Sequence, residues 1–154
     1  MEGLQKLYVN QNKLESITKE IGKLKELEEF YANDNQISEI PSEIQSCRSL
    51  NKLYLNNNLL KSLPDELYTL PDLELLYLNE NQIKKISSDV EKLKQLKFFH
   101  ISNNLLEKES LPQELTNLPC VISVKLSGNK FDVPENLQKP GEFTKNDLAS
   151  FFEI

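Results

Sequence analysis

The chain has 154 residues, of which 24 are acidic and 18 basic, giving a formal net charge of −6. This length fits a single domain, and the acidic balance argues against nucleic acid or an anionic membrane as a partner, because both require a basic surface. No apolar stretch approaches the roughly 18 residues of a membrane-spanning helix, and the first residues lack the apolar core of a signal peptide.

One pattern, clearest in residues 50–60, recurs along the chain. The spacing L-x-x-L-x-L-x-x-N-x-L restarts at residues 4, 27, 50, 73, 96 and 121. The apolar residues at positions four and six of a unit, such as Leu53 and Leu55, alternate and therefore lie on one face of a short strand. A unit of this size cannot bury its apolar side alone, so the repetition predicts units stacked against one another.

An asparagine at position nine follows each predicted strand: Asn12, Asn35, Asn58, Asn81, Asn104 and Asn129. Its amide can both donate to and accept from the backbone of a neighbouring turn, which predicts a buried, structural ladder. The apolar residues at positions 11, 14, 18 and 21 suit a helical or 3₁₀ turn that returns to the next strand. Proline follows position 14 in three units, and we expect it at the first residue of the turn. These prolines are Pro41, Pro64 and Pro112.

The two cysteines are predicted to be reduced. Cys47 lies at position 21, where other units have leucine, and we interpret it as a small buried apolar residue. Cys120 is about three units away, on the order of 15 Å at strand spacing, which is beyond disulfide reach. Reduced thiols favour a cytoplasmic protein. Export as an effector without a classical signal peptide is the alternative.

The first unit begins at Leu4, so no capping element precedes its apolar edge, whereas terminal repeats normally have a polar outer face. One interpretation is that the chain is a fragment, or that another chain covers this edge, including by self-association. The other is a first unit that tolerates exposure.

The fifth unit carries two extra residues between Leu106 and Leu111. We expect them to bulge from the edge of the stack just past the asparagine turn. Insertions of this kind often contribute to binding in repeat proteins, although a neutral insertion is the commoner case.

Residues 1–136 are predicted to be repeats and residues 137–154 a C-terminal cap. Thr144 and Asp147 have the spacing of a capping box, and Phe143 and Leu148 that of a hydrophobic staple. The sequence therefore predicts a short helix over about 145–152 that covers the sixth unit. An amphipathic tail that binds a partner is the alternative.

Position five of each unit faces away from the core, and its residues are Tyr8, Tyr31, Tyr54, Tyr77, His100 and Lys125. Tyrosine offers a large contact area and a hydroxyl group at little cost in conformational entropy, so this register predicts a binding surface. The polar residues around it are Lys6, Glu29, Asn33, Asp34, Lys52, Asn56, Asn79 and Glu80. The predicted partner-binding residues are Tyr8, Glu29, Tyr31, Asp34, Lys52, Tyr54, Leu75, Tyr77, Glu80, Phe98 and His100. The alternative is that strand propensity and ring packing alone explain the tyrosines.

The repeats resemble the leucine-rich-repeat family over residues 4 to about 136. The resemblance implies an α/β fold: a right-handed solenoid with a parallel sheet on the concave face and short helices or 3₁₀ turns on the convex face, ended here by the C-terminal capping helix. It also implies an interaction module that binds another protein on the concave face, as a scaffold or bacterial effector. A targeting domain of a larger signalling enzyme or ligase is the alternative.

The sequence shows no catalytic, metal or phosphate-binding pattern. It contains one histidine, two cysteines and four scattered glycines. These are too few or too dispersed for a nucleophile–base pair, a zinc site or a phosphate loop. We expect no enzymatic activity, no cofactor and no metal.

Overall fold

The computed structural model describes residues 3–132 and 142–152. Within these ranges seven strands form one sheet in which each strand pairs with its neighbours in chain order. Strands β1 to β6 are parallel and span Lys6–Tyr8, Glu29–Tyr31, Lys52–Tyr54, Leu75–Tyr77, Phe98–His100 and Ser123–Lys125. The predicted right-handed solenoid with a concave parallel sheet is confirmed. Strand β7, Glu142–Phe143, pairs antiparallel with β6 and was not predicted.

The core lies directly behind the sheet and consists of the same repeat positions in successive units. Position-one residues such as Leu50 and position-six residues such as Leu55 are fully buried, and position four is filled by Phe30, Leu53, Leu76 and Phe99. The strands pair in register, so that Leu53 lies beside Phe30 and Leu76. Apolar burial of this kind is the main favourable term in folding, and here each unit obtains it only from its neighbours.

Six 3₁₀ turns return the chain to the sheet within the described ranges: Lys19–Lys23, Ser42–Ser46, Asp65–Thr69, Ser88–Lys92, Lys108–Ser110 and Gln113–Asn117. Thr18 and Ser87 precede two of them, and their hydroxyl groups accept from backbone N–H groups of the first turn. Pro41, Pro64 and Pro112 occupy the same preceding position. The predicted placement of proline as the first residue of the turn is therefore wrong by one residue. The cause is that the chain enters each turn extended, with ψ of 136° to 148°, a conformation that proline favours.

The extra residues of the fifth unit form an additional turn just past the asparagine, as predicted. The Glu107 N–H donates to Ser110 Oγ at 3.0 Å, and Ser110 accepts from the Ile86 N–H through its backbone oxygen at 3.3 Å. The insertion is thus ordered by its own cap and attached to the fourth unit.

Helix α1, Lys145–Phe151, ends one residue earlier than predicted. The capping box is confirmed, since the Thr144 N–H donates to Asp147 Oδ2 at 2.8 Å and the Asp147 N–H donates to Thr144 Oγ1. Leu148 and Phe151 are buried, and the Phe151 ring lies 5.8 Å from that of Phe131. This burial favours a cap over a free tail. The predicted end of the repeats near residue 136 lies outside the described residues.

Both cysteines are free: Cys47 is buried and Cys120 exposed, as the reduced-thiol prediction requires. At the first strand, Leu7 and Val9 are partly buried, whereas Leu14 is 38% exposed and Tyr8 60%. Coverage of this edge by another chain stays a prediction.

The position-nine asparagines of units two to six form the predicted ladder, whereas Asn12, in the first unit, is exposed and bonds only within its own turn. Asn58 illustrates the ladder. Its Oδ1 accepts from the Ile37 N–H at 3.0 Å, and its Nδ2 donates to the carbonyl oxygens of Ala32 at 2.9 Å and Leu55 at 3.2 Å. Asn35, Asn81 and Asn104 make the equivalent bonds. Each amide therefore joins two units and satisfies buried backbone groups that have few other partners.

A second ladder, at position seven, was not predicted. Asn33 Oδ1 accepts from the Asn56 N–H at 2.8 Å, and Asn56 Oδ1 accepts from the Asn79 N–H at 2.9 Å. The series begins with Asn10, whose Oδ1 accepts from the Asn33 N–H, and ends where Asn79 Oδ1 accepts from the Ser102 N–H. The polar surround predicted for the binding surface includes Asn33, Asn56 and Asn79, but their side-chain oxygens accept hydrogen bonds from the backbone of the next unit.

Replacing Asn58 by alanine should lower the free energy of unfolding by roughly 1 to 3 kcal/mol, because buried backbone groups of two units lose their partner. Chemical denaturation of the wild type and the variant measures this. Asn12→Ala is the matched control, since Asn12 is exposed and bonds only within its own turn. A loss as large in the control as in Asn58→Ala would contradict the structural role of the ladder.

Candidate protein-binding face

The position-five side chains form one continuous row of rings across β1 to β5. Ring centroids are 4.5 Å apart between Tyr8 and Tyr31 and between Tyr31 and Tyr54, with nearly parallel planes. Tyr77 stacks on His100 at 4.3 Å. Between Tyr54 and Tyr77 the planes are almost perpendicular, at 87°. The row therefore consists of two stacked blocks that meet in the middle of the sheet.

Stacking determines what a partner would meet. Within each block neighbouring rings cover each other's faces, so Tyr31, stacked on both sides, presents its edge and hydroxyl group. Tyr54 and Tyr77 are each stacked on one side and meet each other edge to face. Among the described residues, the Tyr54 and Tyr77 hydroxyl groups have no hydrogen-bond partner, whereas that of Tyr31 donates to Glu29 at 2.6 Å. Burial raises the pKa of Tyr77, so its hydroxyl stays a donor at neutral pH.

Glu29 is the centre of an ionic cluster beneath the row. Its Oε2 accepts from Tyr31, and its Oε1 lies 3.0 Å from Lys52 Nζ and 3.2 Å from Lys6 Nζ. The hydrogen bond from Tyr31, followed by that from Lys52, lowers the pKa of Glu29 to about 2. Only 7% of the residue is exposed. Glu29 and Lys52, both predicted to contact a partner, thus already satisfy each other.

The ring block formed by Tyr77 and His100 is next to strand β6, which pairs with β7. His100 is 8% exposed, and its Nε2 lies 3.4 Å from Ser123 Oγ. The hydrogen bond with Ser123 lowers the pKa of Glu142. Because the carboxylate bonds the serine and not the histidine, the arrangement differs from a serine–histidine–acid relay.

Leu75 and Phe98 provide an apolar patch beside the rings. Both lie at position three, in register with Lys52, and both are partly exposed. Phe98 meets His100 edge to face, at 6.3 Å between centroids. This patch borders the junction between the two ring blocks.

Asp34 and Glu80 lie exposed at the end of the strands, at position eight, and not within the row. Their φ angles are 58° and 56°, a left-handed turn that recurs in every described unit and falls on Gly128 in the sixth. Asp34 Oδ1 accepts from Asn57 Nδ2 at 2.8 Å. The structure therefore brings the predicted rings and apolar residues together and places these two carboxylates along one edge.

The opposite edge carries residues that the sequence analysis overlooked. Glu28, Asp72 and Glu74 line a cleft of about 370 Å³ at the start of the strands, together with Ser49, Asn51 and Gln95. The signal for Glu28 and Glu74 was an acidic residue at position two of alternate units, whereas Asp72 is the last residue of the third unit. Among the described residues, no group of three or more histidine, cysteine or acidic side chains is placed to hold a metal ion.

A slightly larger cleft, of about 400 Å³, lies away from this face, between the turns of units three to five. Its Ser87 and Ser110 hydroxyl groups accept from the backbone in turn caps, and the Tyr68 hydroxyl accepts from the Ser87 N–H. These polar groups serve the fold.

A family profile described as "Leucine rich repeat" matches residues 48–106, and one described as "Leucine Rich repeats (2 copies)" matches residues 25–68. Together they span residues 25–106, more than half of the chain. No curated protein matches the chain. No helix in residues 3–132 and 142–152 is long and apolar enough to cross a bilayer.

Three solved structures illustrate the similarity. A leucine-rich-repeat protein of Leptospira interrogans is 29% identical over 86% of this chain and 39% of its own, with a TM-score of 0.66. The plant peptide hormone receptor RGFR1 in complex with RGF2 is 29% identical over 88% of this chain and 23% of its own, with a TM-score of 0.74. A plant ice-binding protein is 25% identical over 84% and 44%, with a TM-score of 0.74.

This chain spans less than half the length of each of the three. They are different kinds of protein, so the shared fold does not determine what this chain binds.

The stability of the protein should fall between pH 7 and pH 5.5 through His100. Burial, followed by the charge of Lys125, lowers the pKa of His100 to about 4, while Glu142 acts weakly in the opposite direction. An unfolded histidine titrates near 6.5, so the unfolded state binds the proton first and stability is lost as the pH falls. We expect a loss of about 1 kcal/mol over this range, since each pKa unit corresponds to about 1.4 kcal/mol.

Denaturation at both pH values measures this loss, and His100→Phe, which keeps a ring against Tyr77, should remove most of it. Glu29 does not affect the stability between these two pH values, because its contribution to stability is lost only as the pH falls from 4.5 towards 2. An equal pH dependence in wild type and variant would exclude His100 as the cause.

Proposed function

We propose that this chain, which belongs to the leucine-rich-repeat family, binds another protein on its strand face. One observation carries the proposal. At the junction of the two ring blocks, the hydroxyl groups of Tyr54 and Tyr77 have no hydrogen-bond partner within residues 3–132 and 142–152, and the partly exposed Leu75 and Phe98 lie beside them. An apolar patch next to unused donors is the composition of a protein-binding hot spot.

Ring packing alone accounts for part of this surface. It explains the stacked Tyr8, Tyr31 and Tyr54, because parallel strands place identical side chains at stacking distance. It does not explain Leu75 and Phe98, since the core is already filled from positions one, four and six. Apolar side chains at an outward position are consistent with a surface that becomes buried on binding.

The family supports the same conclusion. Leucine-rich repeats are generally interaction modules without enzymatic activity. The similar plant receptor was solved with the peptide hormone RGF2. Scaffold, bacterial effector and targeting domain of a larger signalling enzyme or ligase are narrower versions of the proposal, and a captured partner would distinguish them. A cytoplasmic location is likewise part of the proposal.

Affinity capture with a Tyr54→Ala, Tyr77→Ala double variant tests the proposal. We expect a protein that the wild type retains to be lost from the variant, with affinity at least about tenfold weaker, since a buried interface tyrosine contributes about 1 to 2 kcal/mol or more. Lys61→Ala, Lys84→Ala is the matched control, because it alters the same two units outside the strand face.

A Tyr54→Phe, Tyr77→Phe variant keeps the rings and removes only the hydroxyl groups, so it guards against a loss of binding caused by unfolding. All variants are compared by thermal melting. Retention of the same partner by wild type and alanine variant at equal affinity would exclude the strand face as the site.

A further inference from the structure

The net charge of the chain is concentrated on part of the strand face. Residues 26–34, 49–57 and 72–80 are the strands of units two to four with their flanking positions. They contain seven carboxylates and one lysine, a net charge of −6. The rest of the chain carries 17 acidic and 17 basic residues and is neutral. The acidity of the protein therefore belongs to the middle of the proposed binding face.

Five of the seven carboxylates lie along the two edges of the ring row. Glu28, Asp72 and Glu74 line the cleft at the start of the strands, and Asp34 and Glu80 are exposed at their end. Six residues separate position two from position eight, a distance of at most about 20 Å, so each edge lies within about 10 Å of the rings.

Little of this charge is neutralised within the described residues. Glu74 pairs with Lys97 at 2.8 Å, and Glu29 is satisfied by its two lysines. The other edge carboxylates, Glu28, Asp34, Asp72 and Glu80, make no ion pair there. Lys52 is engaged with Glu29 and does not offset them.

We propose that the partner is a basic segment of a protein that places an apolar or aromatic side chain on the patch formed by Tyr54, Tyr77, Leu75 and Phe98. Its lysine or arginine side chains extend to the carboxylates on both edges. This inference rests on the proposed function and adds the chemistry of the partner. Tyr31 offers no free face for cation–π contact, because both of its neighbours stack on it.

Electrostatic complementarity of this kind selects between partners and accelerates their encounter more than it adds affinity. A basic segment is attracted to the face from beyond contact distance, whereas an acidic segment with the same apolar side chain is repelled. The attraction is screened over about 8 to 10 Å at physiological salt, so it weakens as salt is added.

The experiment is selection of a displayed library of random 12-residue peptides against the immobilised protein. We expect enrichment of peptides in which lysine or arginine flanks an aromatic or large aliphatic residue. Enrichment of acidic or uncharged peptides, or no enrichment above an uncoated surface, would overturn the proposal.

The most enriched peptide is then titrated by fluorescence anisotropy at low and high salt. The test variant is a quadruple neutralisation of the unpaired edge carboxylates: Glu28→Gln, Asp34→Asn, Asp72→Asn and Glu80→Gln. The control removes four carboxylates outside the strand segments: Glu15→Gln, Glu39→Gln, Glu66→Gln and Glu109→Gln. Both change the net charge from −6 to −2, so they differ only in where the charge is removed.

We expect the edge variant to bind the peptide at least about tenfold more weakly than wild type and to lose most of the salt dependence, with the control close to wild type. Equal weakening in both variants would show a general charge effect and refute the proposal. If the tyrosine-dependent partner of the preceding section is retained by the edge variant at full affinity, the proposed function stands and the basic segment is rejected.

Discussion

The structure depends on hydrogen-bond partners for the backbone N–H and C=O groups at the end of each strand, where the chain leaves the sheet. At this point the chain leaves its ladder of hydrogen bonds while still buried, and an unpaired amide or carbonyl group there is costly. Asn58 resolves this by accepting from the Ile37 N–H and donating to the Ala32 and Leu55 carbonyl groups. A side chain that bonds across two units holds them in one register. The 23-residue period is therefore maintained by polar contacts in addition to apolar burial.

That register produces the candidate site. Once the position-nine and position-seven amides fix neighbouring strands, every residue at position five lies beside its copies. The four successive tyrosines are therefore in ring contact, stacked from Tyr8 to Tyr54 and edge to face between Tyr54 and Tyr77. Stacking leaves edges and hydroxyl groups outward, and the hydroxyl of Tyr31 is taken by Glu29. The hydroxyl groups that have no partner among the described residues are those of Tyr54 and Tyr77, where the two blocks meet at 87°, next to Leu75 and Phe98. The surface thus results from the repeat scaffold together with two departures from its pattern, the apolar residues Leu75 and Phe98 at an outward position.

The period explains why so much was predictable. Leucine and asparagine spacing indicated the strands, the core and the position-nine ladder, because each is set by residues at a fixed place in the unit. The capping box of Thr144 and Asp147 was also visible, being local. Three features were missed because they depend on contacts between units: strand β7 on β6, the acceptor role of Asn33 and Asn56, and the burial of Glu29 between Lys6 and Lys52. A list of outward positions cannot show which side chains neutralise one another.

Some positions of the unit have residues that the fold requires, whereas other positions can vary without affecting the fold. Positions one, four, six, seven and nine are constrained by burial or by a backbone bond, so their identities follow from the fold. Position eight is restricted by its left-handed φ, but neither it nor position two requires a charge: Asn51 and Glu74 share position two, and Asn57 and Glu80 share position eight. A fold that accepts an amide there does not require a carboxylate. Glu28, Asp72 and Glu80, which make no ion pair within the described residues, add repulsion to the folded state, and their concentration around the apolar patch is consistent with the proposed basic partner.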